Sequence, residues 1–130
     1  MIGVNLHEAE SIAACCGEAQ DQEEALLEVL KKHAGAGEIV LHAMDHALCL
    51  ERGTFTRCEG YYHPSPVITT GGGDHFNGGY CAGRLAGLDA AGRLAMATAS
   101  ALFYVSNGYS GSAEQIAAWL SGPQMQEWEE

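Results

Sequence analysis

Three consecutive glycines, Gly71 to Gly73, place the strongest constraint on how this 130-residue chain can fold. Glycine frees the backbone, and the residues from Asp74 to about Leu85 can form a helix with few charges. The run therefore predicts a glycine loop that leads into a helix starting at or next to Asp74. Such a loop presents unpaired N–H groups and the positive end of a helix dipole, which together form an anion site without basic side chains.

An anion site of this kind suits the composition. The chain has six basic and seventeen acidic residues, which gives a formal net charge of −11. This balance opposes nucleic acids and anionic membranes as partners, because both carry negative charge. Any phosphate site must therefore rely on backbone N–H groups and metal ions. The 47% apolar content is that of a folded domain.

The pattern of apolar residues is α/β in the first half of the chain and mostly helical in the second. Strands are expected at residues 1–4, 38–44, 47–51 and 54–59, a loop at 60–66, and helices at about 9–16, 21–33, 74–85, 89–105 and after Ser112. Asp89 is the expected N-cap of one helix, and Ser112 with Gln115 predicts a capping box. The apolar stripes expected to face inward on the other helices comprise Ala9, Ile12, Ala13 and Cys16; Leu26, Leu27 and Leu30; and Ile116, Trp119 and Leu120.

Asp74 would stand beside the anion held by the glycine loop. A carboxylate there can take a proton from an attacking hydroxyl during phosphoryl transfer. The alternative is a glycine turn with Asp74 as an ordinary N-cap, and the loop alone favours that alternative. The loop is neither a Walker A motif nor a dinucleotide-binding fingerprint, because both the Gly-Lys-Ser/Thr ending and the G-x-G-x-x-G spacing are absent.

Three segments together resemble the PfkB/ribokinase family of sugar kinases. Residues Thr70 to Tyr80 resemble its T-G-A-G-D-x-F-x-x-G-F signature, with Gly72 where the family usually has Ala. Asn5 to Glu8 resemble its N-x-x-E motif, and Ala97 to Ala101 resemble the small-residue helix that borders its adenine pocket. The resemblance implies a ribokinase-like fold, which is a Rossmann-like αβα sandwich, and specifically the C-terminal portion of it.

The resemblance also implies roles for individual residues. Asp74 would be the general base for a sugar hydroxyl, and the N–H groups of Gly71, Gly72 and Gly73 would form the anion hole. Asn5 and Glu8 would position Mg²⁺ through water, although an N-cap and a first-turn acid are the alternative. The implied cofactors are ATP and Mg²⁺, and the implied nucleotide-binding residues are Thr70, Thr98, Ser100 and Ala101.

The chain departs from the family at the end of the strand around residues 39–41. The family usually has a T-x-G there that touches the nucleotide phosphates, whereas this chain has His42-Ala43-Met44-Asp45. His42 and His46 are interpreted as local surface or strand-end residues, and His75 receives no role. The five cysteines favour reduced thiols in a cytoplasmic protein. A zinc site formed by cysteines with the two histidines is an alternative that the lack of a C-x-x-C pair disfavours.

Family members are considerably longer, and the part that supplies the sugar pocket and lid would precede Met1. Residues 1–130 are therefore expected to form a single partial domain that carries the nucleotide and catalytic half of such a kinase. The expected function is ATP-dependent phosphorylation of a sugar or sugar-like hydroxyl. The alternative is a catalytically inactive nucleotide-binding fragment or interaction module. The expected partners are ATP, a sugar substrate, and either a missing N-terminal half or a second copy of the chain.

Overall fold

The computed structural model describes residues 1–60 and 65–121, so positions 61–64 of the expected loop lie outside the described residues. One sheet of four strands and five helices make up the described part. The elements are β1 (Ile2–Asn5), α1 (Leu6–Cys15), α2 (Glu23–Ala34), β2 (Glu38–His42), β3 (His46–Glu51), β4 (Thr54–Glu59), α3 (Gly72–Leu85), α4 (Ala90–Asn107) and α5 (Ala113–Leu120).

The strands follow one another across the sheet in chain order, β1-β2-β3-β4. β1 and β2 are parallel, and α1 and α2 form the crossover between them. β2, β3 and β4 are antiparallel neighbours. Arg52 and Gly53 connect β3 to β4 with φ angles of 51° and 77°, and two successive positive φ angles are typical of a type I′ hairpin turn.

Alternate residues of the strands face two separate apolar cores, as period-two geometry requires. On one side of the sheet, Ile39, Leu41, Leu48 and Leu50 pack under α1 and α2. On the other side, Val40, Ala47 and Cys49 pack under α3 and α4. The chain is therefore an αβα sandwich, and the predicted ribokinase-like fold class is confirmed at the level of its layers.

Glycines permit α3 and α4 to lie close together on that second side. A Cβ atom on Gly79 would lie 2.8 Å from the Met96 carbonyl oxygen, and one on Gly83 would lie 3.1 Å from Arg93 Cα. By contrast, nothing lies within 4 Å of the position that a Cβ on Gly78 would take. Gly79 and Gly83 thus mark close backbone packing between the two helices, whereas Gly78 does not.

The main differences from the expected elements concern the start of α3 and two helix faces. α3 begins at Gly72, two residues before the predicted start, because Gly71 already provides the N-cap. Ile12 is 40% exposed and Leu120 is 37% exposed, because α1 buries only Ala9 and Ala13 and α5 has no buried residue. α4 buries four residues, and another of its faces borders a cleft. No helix among the described residues combines the length and apolarity needed to cross a bilayer.

Candidate functional site

The glycine loop ends at Gly71, which is the N-cap of α3 and has φ 94° and ψ −3°. This left-handed conformation favours glycine, and a Cβ here would also lie 3.0 Å from the Tyr104 hydroxyl oxygen. The Gly72 N–H donates to the Thr69 carbonyl oxygen at 3.2 Å, and the His75 N–H makes the first helical bond to Gly71 O at 3.1 Å. Helix geometry therefore leaves the N–H groups of Gly73 and Asp74 without a helical acceptor.

Two aromatic residues hold the loop in this conformation. The Tyr104 hydroxyl donates to the Thr70 carbonyl oxygen at 2.8 Å. The His75 ring stacks on Tyr104 with centroids 3.7 Å apart and an angle of 10°. His75 Nδ1 lies 2.7 Å from the Gly71 carbonyl oxygen, and Nε2 lies 2.5 Å from Ser110 Oγ. Because a carbonyl only accepts, Nδ1 carries the proton, and the Ser110 hydroxyl donates to Nε2 when the ring is neutral. His75, which received no role from the sequence, thus fixes the loop.

A cleft of about 460 Å³ opens beside the first turn of α3. This volume lies within the range of small-molecule sites. The lining has no Lys, Arg, Asp or Glu among the described residues, and α4 contributes its apolar wall. The lining residues are Asn5, Leu6, His7, His42, Ala43, Met44, His46, Gly60, Pro66, Thr69, Gly72, Gly73, Phe76, Thr98, Ala101, Leu102 and Val105.

The predicted base, Asp74, is exposed on the first turn of α3, one residue after Gly73, and does not itself belong to the cleft lining. The same turn carries the N–H groups of Gly73 and Asp74, which lack a helical acceptor. Thr98 and Ala101 do line the cleft. Thr70 does not line the cleft. Its neighbour Thr69, to which the sequence analysis assigned no role, lines it instead.

Ser100 is the predicted nucleotide residue that the structure places elsewhere. Its hydroxyl donates to the Met96 carbonyl oxygen at 2.8 Å, and its Oγ would lie 2.5 Å from a Cβ on Gly79. Ser100 therefore faces α3 and serves helix packing. One residue along a helix turns a side chain by about 100°, so a stretch of small residues cannot all face one pocket.

Asn5 and Glu8 form a capping box at the start of α1. Asn5 Oδ1 accepts from the Glu8 N–H at 2.7 Å, and Glu8 Oε1 accepts from the Asn5 N–H at 2.9 Å. This is the alternative that the sequence left open, and it fixes both side chains with Asn5 in the cleft wall. Both groups keep oxygen lone pairs that could bind water, which fits the indirect role toward Mg²⁺. Among the described residues, no three His, Cys, Asp or Glu side chains are grouped to hold a metal directly.

His42 ends β2 and faces the first turn of α3. Its Cε1 atom would lie 3.1 Å from a Cβ on Gly73, and its ring lies 4.8 Å from the Phe76 ring between centroids. Burial lowers the pKa of His42 below its ordinary value, and the negative charge of Glu8 only partly opposes this. The ring is therefore neutral at neutral pH. The sequence treated His42 as a strand-end residue and missed its position against the glycine loop.

His46 also lines the cleft and is held by two carboxylates. Its Nδ1 lies 2.7 Å from Asp45 Oδ1, and its Nε2 lies 2.8 Å from both Glu23 carboxylate oxygens. Burial alone would lower the pKa of His46, but the hydrogen bonds with Asp45 and Glu23 outweigh it and raise that pKa. Both nitrogens are thus engaged in local contacts, in agreement with the local role predicted for this residue.

A family model described as prokaryotic ketohexokinase matches residues 1–123. The chain belongs to the prokaryotic ketohexokinase family. The resemblance to PfkB/ribokinase sugar kinases is thereby confirmed. A search of curated proteins gave no significant match for this ketohexokinase-family chain.

Solved structures of related kinases share the fold. The ribokinase from Thermotoga maritima matches with a TM-score of 0.75 and 21% identity over 92% of this chain. A protein assigned as a ribokinase II from E. coli, solved with ATP and Mg²⁺, matches with a TM-score of 0.75 and 21% identity over 92% of this chain. The adenosine kinase from Schistosoma mansoni matches at 0.68 with 16% identity over 86% of this chain. The chain spans only 41%, 38% and 36% of these proteins, respectively.

Proposed function

We propose that this chain is the nucleotide-binding and catalytic part of an ATP-dependent sugar kinase. The observation that supports the proposal most directly is the glycine loop that ends at the N-terminus of α3, with Gly72 and Gly73 in the cleft lining and Asp74 on the first turn of the same helix. The family supports the reaction class, because the matching family model is described as a ketohexokinase. A ketohexose is accordingly the acceptor that we propose first.

The roles of the residues follow from where charge changes during phosphoryl transfer. Asp74 accepts the proton of the acceptor hydroxyl as that oxygen bonds to the γ-phosphorus of ATP and the bond from that phosphorus to the ADP oxygen breaks. The N–H groups of Gly73 and Asp74, supported by the dipole of α3, donate to the oxygens of the transferred group. We include Gly71 and Gly72 in the anion hole because their backbone sets the direction of these donors. Mg²⁺ with ATP supplies neutralising charge when bound, and Asn5 and Glu8 orient its waters.

The cleft fits the remainder of a nucleotide. Its apolar wall from α4, which includes Ala101, Leu102 and Val105, suits a purine ring, and Thr98 provides a hydroxyl in the same wall. Thr70 acts through its backbone, which Tyr104 holds in place. Ser100 is left out of this set because its hydroxyl is engaged within α4.

The test substitutes Asp74→Asn, an isosteric change that removes the base and leaves the helix N-terminus intact. The assay needs a sugar-binding half, supplied in trans or by fusion from a longer ketohexokinase. We expect turnover to fall by at least ~100-fold, the lower range for general base catalysis, with ATP affinity nearly unchanged. Glu10→Gln, at an exposed position of α1, is the matched control. Retention of most of the rate in Asp74→Asn would show that Asp74 is not the base.

A second candidate function is a nucleotide-binding fragment without kinase activity. It is favoured by the coverage of related kinases, because the chain spans about two-fifths of their length. Phosphoryl transfer depends on holding the acceptor in line with the phosphate, and nothing in the sequence resembles the sugar-binding segments of the family. We therefore expect the 130-residue chain alone to bind ATP-Mg²⁺ weakly and to phosphorylate no sugar. Sugar-dependent ATP consumption at ordinary kinase rates of ~1–100 s⁻¹ would contradict this.

A further inference from the structure

The cleft must hold a polyanion without any of the usual cationic side chains. No Lys or Arg belongs to its described lining. Four of the six basic residues are instead paired with carboxylates elsewhere in the fold: Lys32 with Glu18, Arg57 with Glu59, and Arg84 and Arg93 with Glu38. Side-chain donors for phosphate must therefore come from polar residues of the cleft itself.

Three histidines line the cleft, and they differ in their contacts and exposure. His46 has both nitrogens engaged by Asp45 and Glu23. His7 is exposed on the first turn of α1. His42 has no hydrogen-bond partner among residues 1–60 and 65–121, and its ring edge lies against Gly73.

The fold also fixes where the His42 ring points. His42 pairs with Asn5 across β1 and β2, and alternate β2 residues such as Val40 and His42 face α3 and α4. Phe76 packs against the ring from the second turn of α3. His42 Nε2 would lie 3.4 Å from a Cβ on Gly73, so the imidazole stands beside the first turn of α3, where the N–H groups lack helical acceptors.

We propose that His42 is a phosphate-contacting residue, which donates an imidazole hydrogen bond to the phosphate chain of the bound nucleotide. This inference rests on the proposed function. It assigns the contact to a side chain at the position where the T-x-G of the family is missing.

The test compares nucleotide affinities of two variants that keep the volume of the ring. His42→Leu removes the donor, whereas His42→Gln retains an N–H donor, and neither empties the space beside Phe76. Dissociation constants for ATP-Mg²⁺, ADP, AMP and adenosine are measured by NMR titration of the isotope-labelled 130-residue chain. His33→Leu, the same change at a histidine outside the cleft, is the control.

We expect His42→Leu to weaken ATP binding by roughly ten-fold or more, which is the range for a hydrogen bond to a charged group, and to leave adenosine within about two-fold. His42→Gln should recover most of the ATP affinity, and His33→Leu should match the wild type. Equal ATP affinity in His42→Leu and wild type, equal losses for ATP and adenosine, or a Gln variant as weak as the Leu variant would each overturn the inference.

A second measurement needs no variant. The ring signals of His42 in the wild-type chain should shift on addition of ATP but not of adenosine. If ATP binds and these signals do not shift, the inference about His42 is overturned while the proposed function stands. If the wild-type chain binds none of the four ligands, the proposed function fails and the inference fails with it. The two failures are thus distinguishable.

Discussion

Adjacent glycines in α3 should respond to the same substitution with opposite signs. At Gly78 there is nothing within 4 Å of a built Cβ, so Gly78→Ala adds helix propensity without a clash. We expect this variant to gain about 0.5–1 kcal/mol in the free energy of unfolding. At Gly79, the Cβ would lie 2.5 Å from Ser100 Oγ and 2.8 Å from the Met96 carbonyl oxygen, so α3 and α4 must separate.

The free-energy cost of overpacking at Gly79 is partly offset by the helix propensity that alanine adds. Overpacking a close interface costs roughly 1–3 kcal/mol, and the gain from Ala offsets about 0.5–1 kcal/mol of it. Gly79→Ala should therefore be destabilised by about 0–2.5 kcal/mol, and because both variants share the propensity gain, they should differ by the overpacking cost, ~2 kcal/mol at its midpoint. Gly83→Ala, whose Cβ would lie 3.1 Å from Arg93 Cα, should fall between them.

Urea denaturation of the 130-residue chain, followed by circular dichroism, measures this gap. With a slope of ~1–3 kcal/mol per molar urea for a small protein, a difference of ~2 kcal/mol separates the midpoints by roughly 1 M. The slope itself should not change, because neither substitution alters the surface exposed on unfolding. If Gly79→Ala were as stable as Gly78→Ala, the close approach of α3 and α4 described here would be refuted.

Two further expectations concern the anion site and pH. Gly72→Asp should weaken ATP binding by placing a negative charge at the anion hole, whereas the neutral Gly72→Asn should weaken it much less; equal losses, measured by titration, would indicate a steric effect instead. The folded-state pKa of His46 is raised, so its contribution to stability is complete below the unfolded pKa of about 6.5 and is lost as pH rises through the folded pKa. The stability difference between wild type and His46→Gln, from denaturation midpoints at several pH values, should accordingly shrink as the pH rises above about 6.5, and a difference that grew instead would contradict the assignment.

Local signals predicted most of the fold. Each strand, the Asp89 and Ser112 caps, and the glycine loop depend on residues within a few positions of one another, and each lies within two or three residues of its predicted place. The capping box of α5 is an example, because Ser112 and Gln115 satisfy each other's backbone N–H groups whatever surrounds them.

The contacts that define the cleft could not be predicted in the same way. His42 meets Gly73 only because β2 runs under α3, and His75 meets Ser110 across 35 residues of sequence. Ser100 is an example of a wrong prediction. The small residues around it in the sequence predicted that it would face the nucleotide pocket, but its position around the axis of α4 directs it at Gly79. Distances of this kind depend on how the layers pack, which periodicity does not specify.

Glu38 is the clearest case of a residue with no sequence signal. It opens β2 as an acid at the start of an apolar run, yet it is only 4% exposed. The hydroxyl of Tyr80 donates to it, and Arg93 Nη1 donates to it at 2.7 Å and to Glu51 at 2.9 Å. These partners lie 42 and 55 residues away, so only the folded chain shows why a buried carboxylate is tolerated.

This buried network suits the proposed anion site, which has to work without cationic side chains. An N–H group or a helix dipole stabilises charge only if it is already oriented, because reorientation during the reaction would cancel the gain. α3 is fixed at its first turn by the stack of His75 on Tyr104, and at its other end Tyr80 and Arg84 both bind the Glu38 carboxylate, which Arg93 ties to α4. The two arginines therefore hold the helix that presents the N–H groups, rather than the phosphate itself. Removing the contact of Arg84 or of Arg93 with Glu38 should accordingly weaken nucleotide binding, although neither arginine belongs to the described cleft lining.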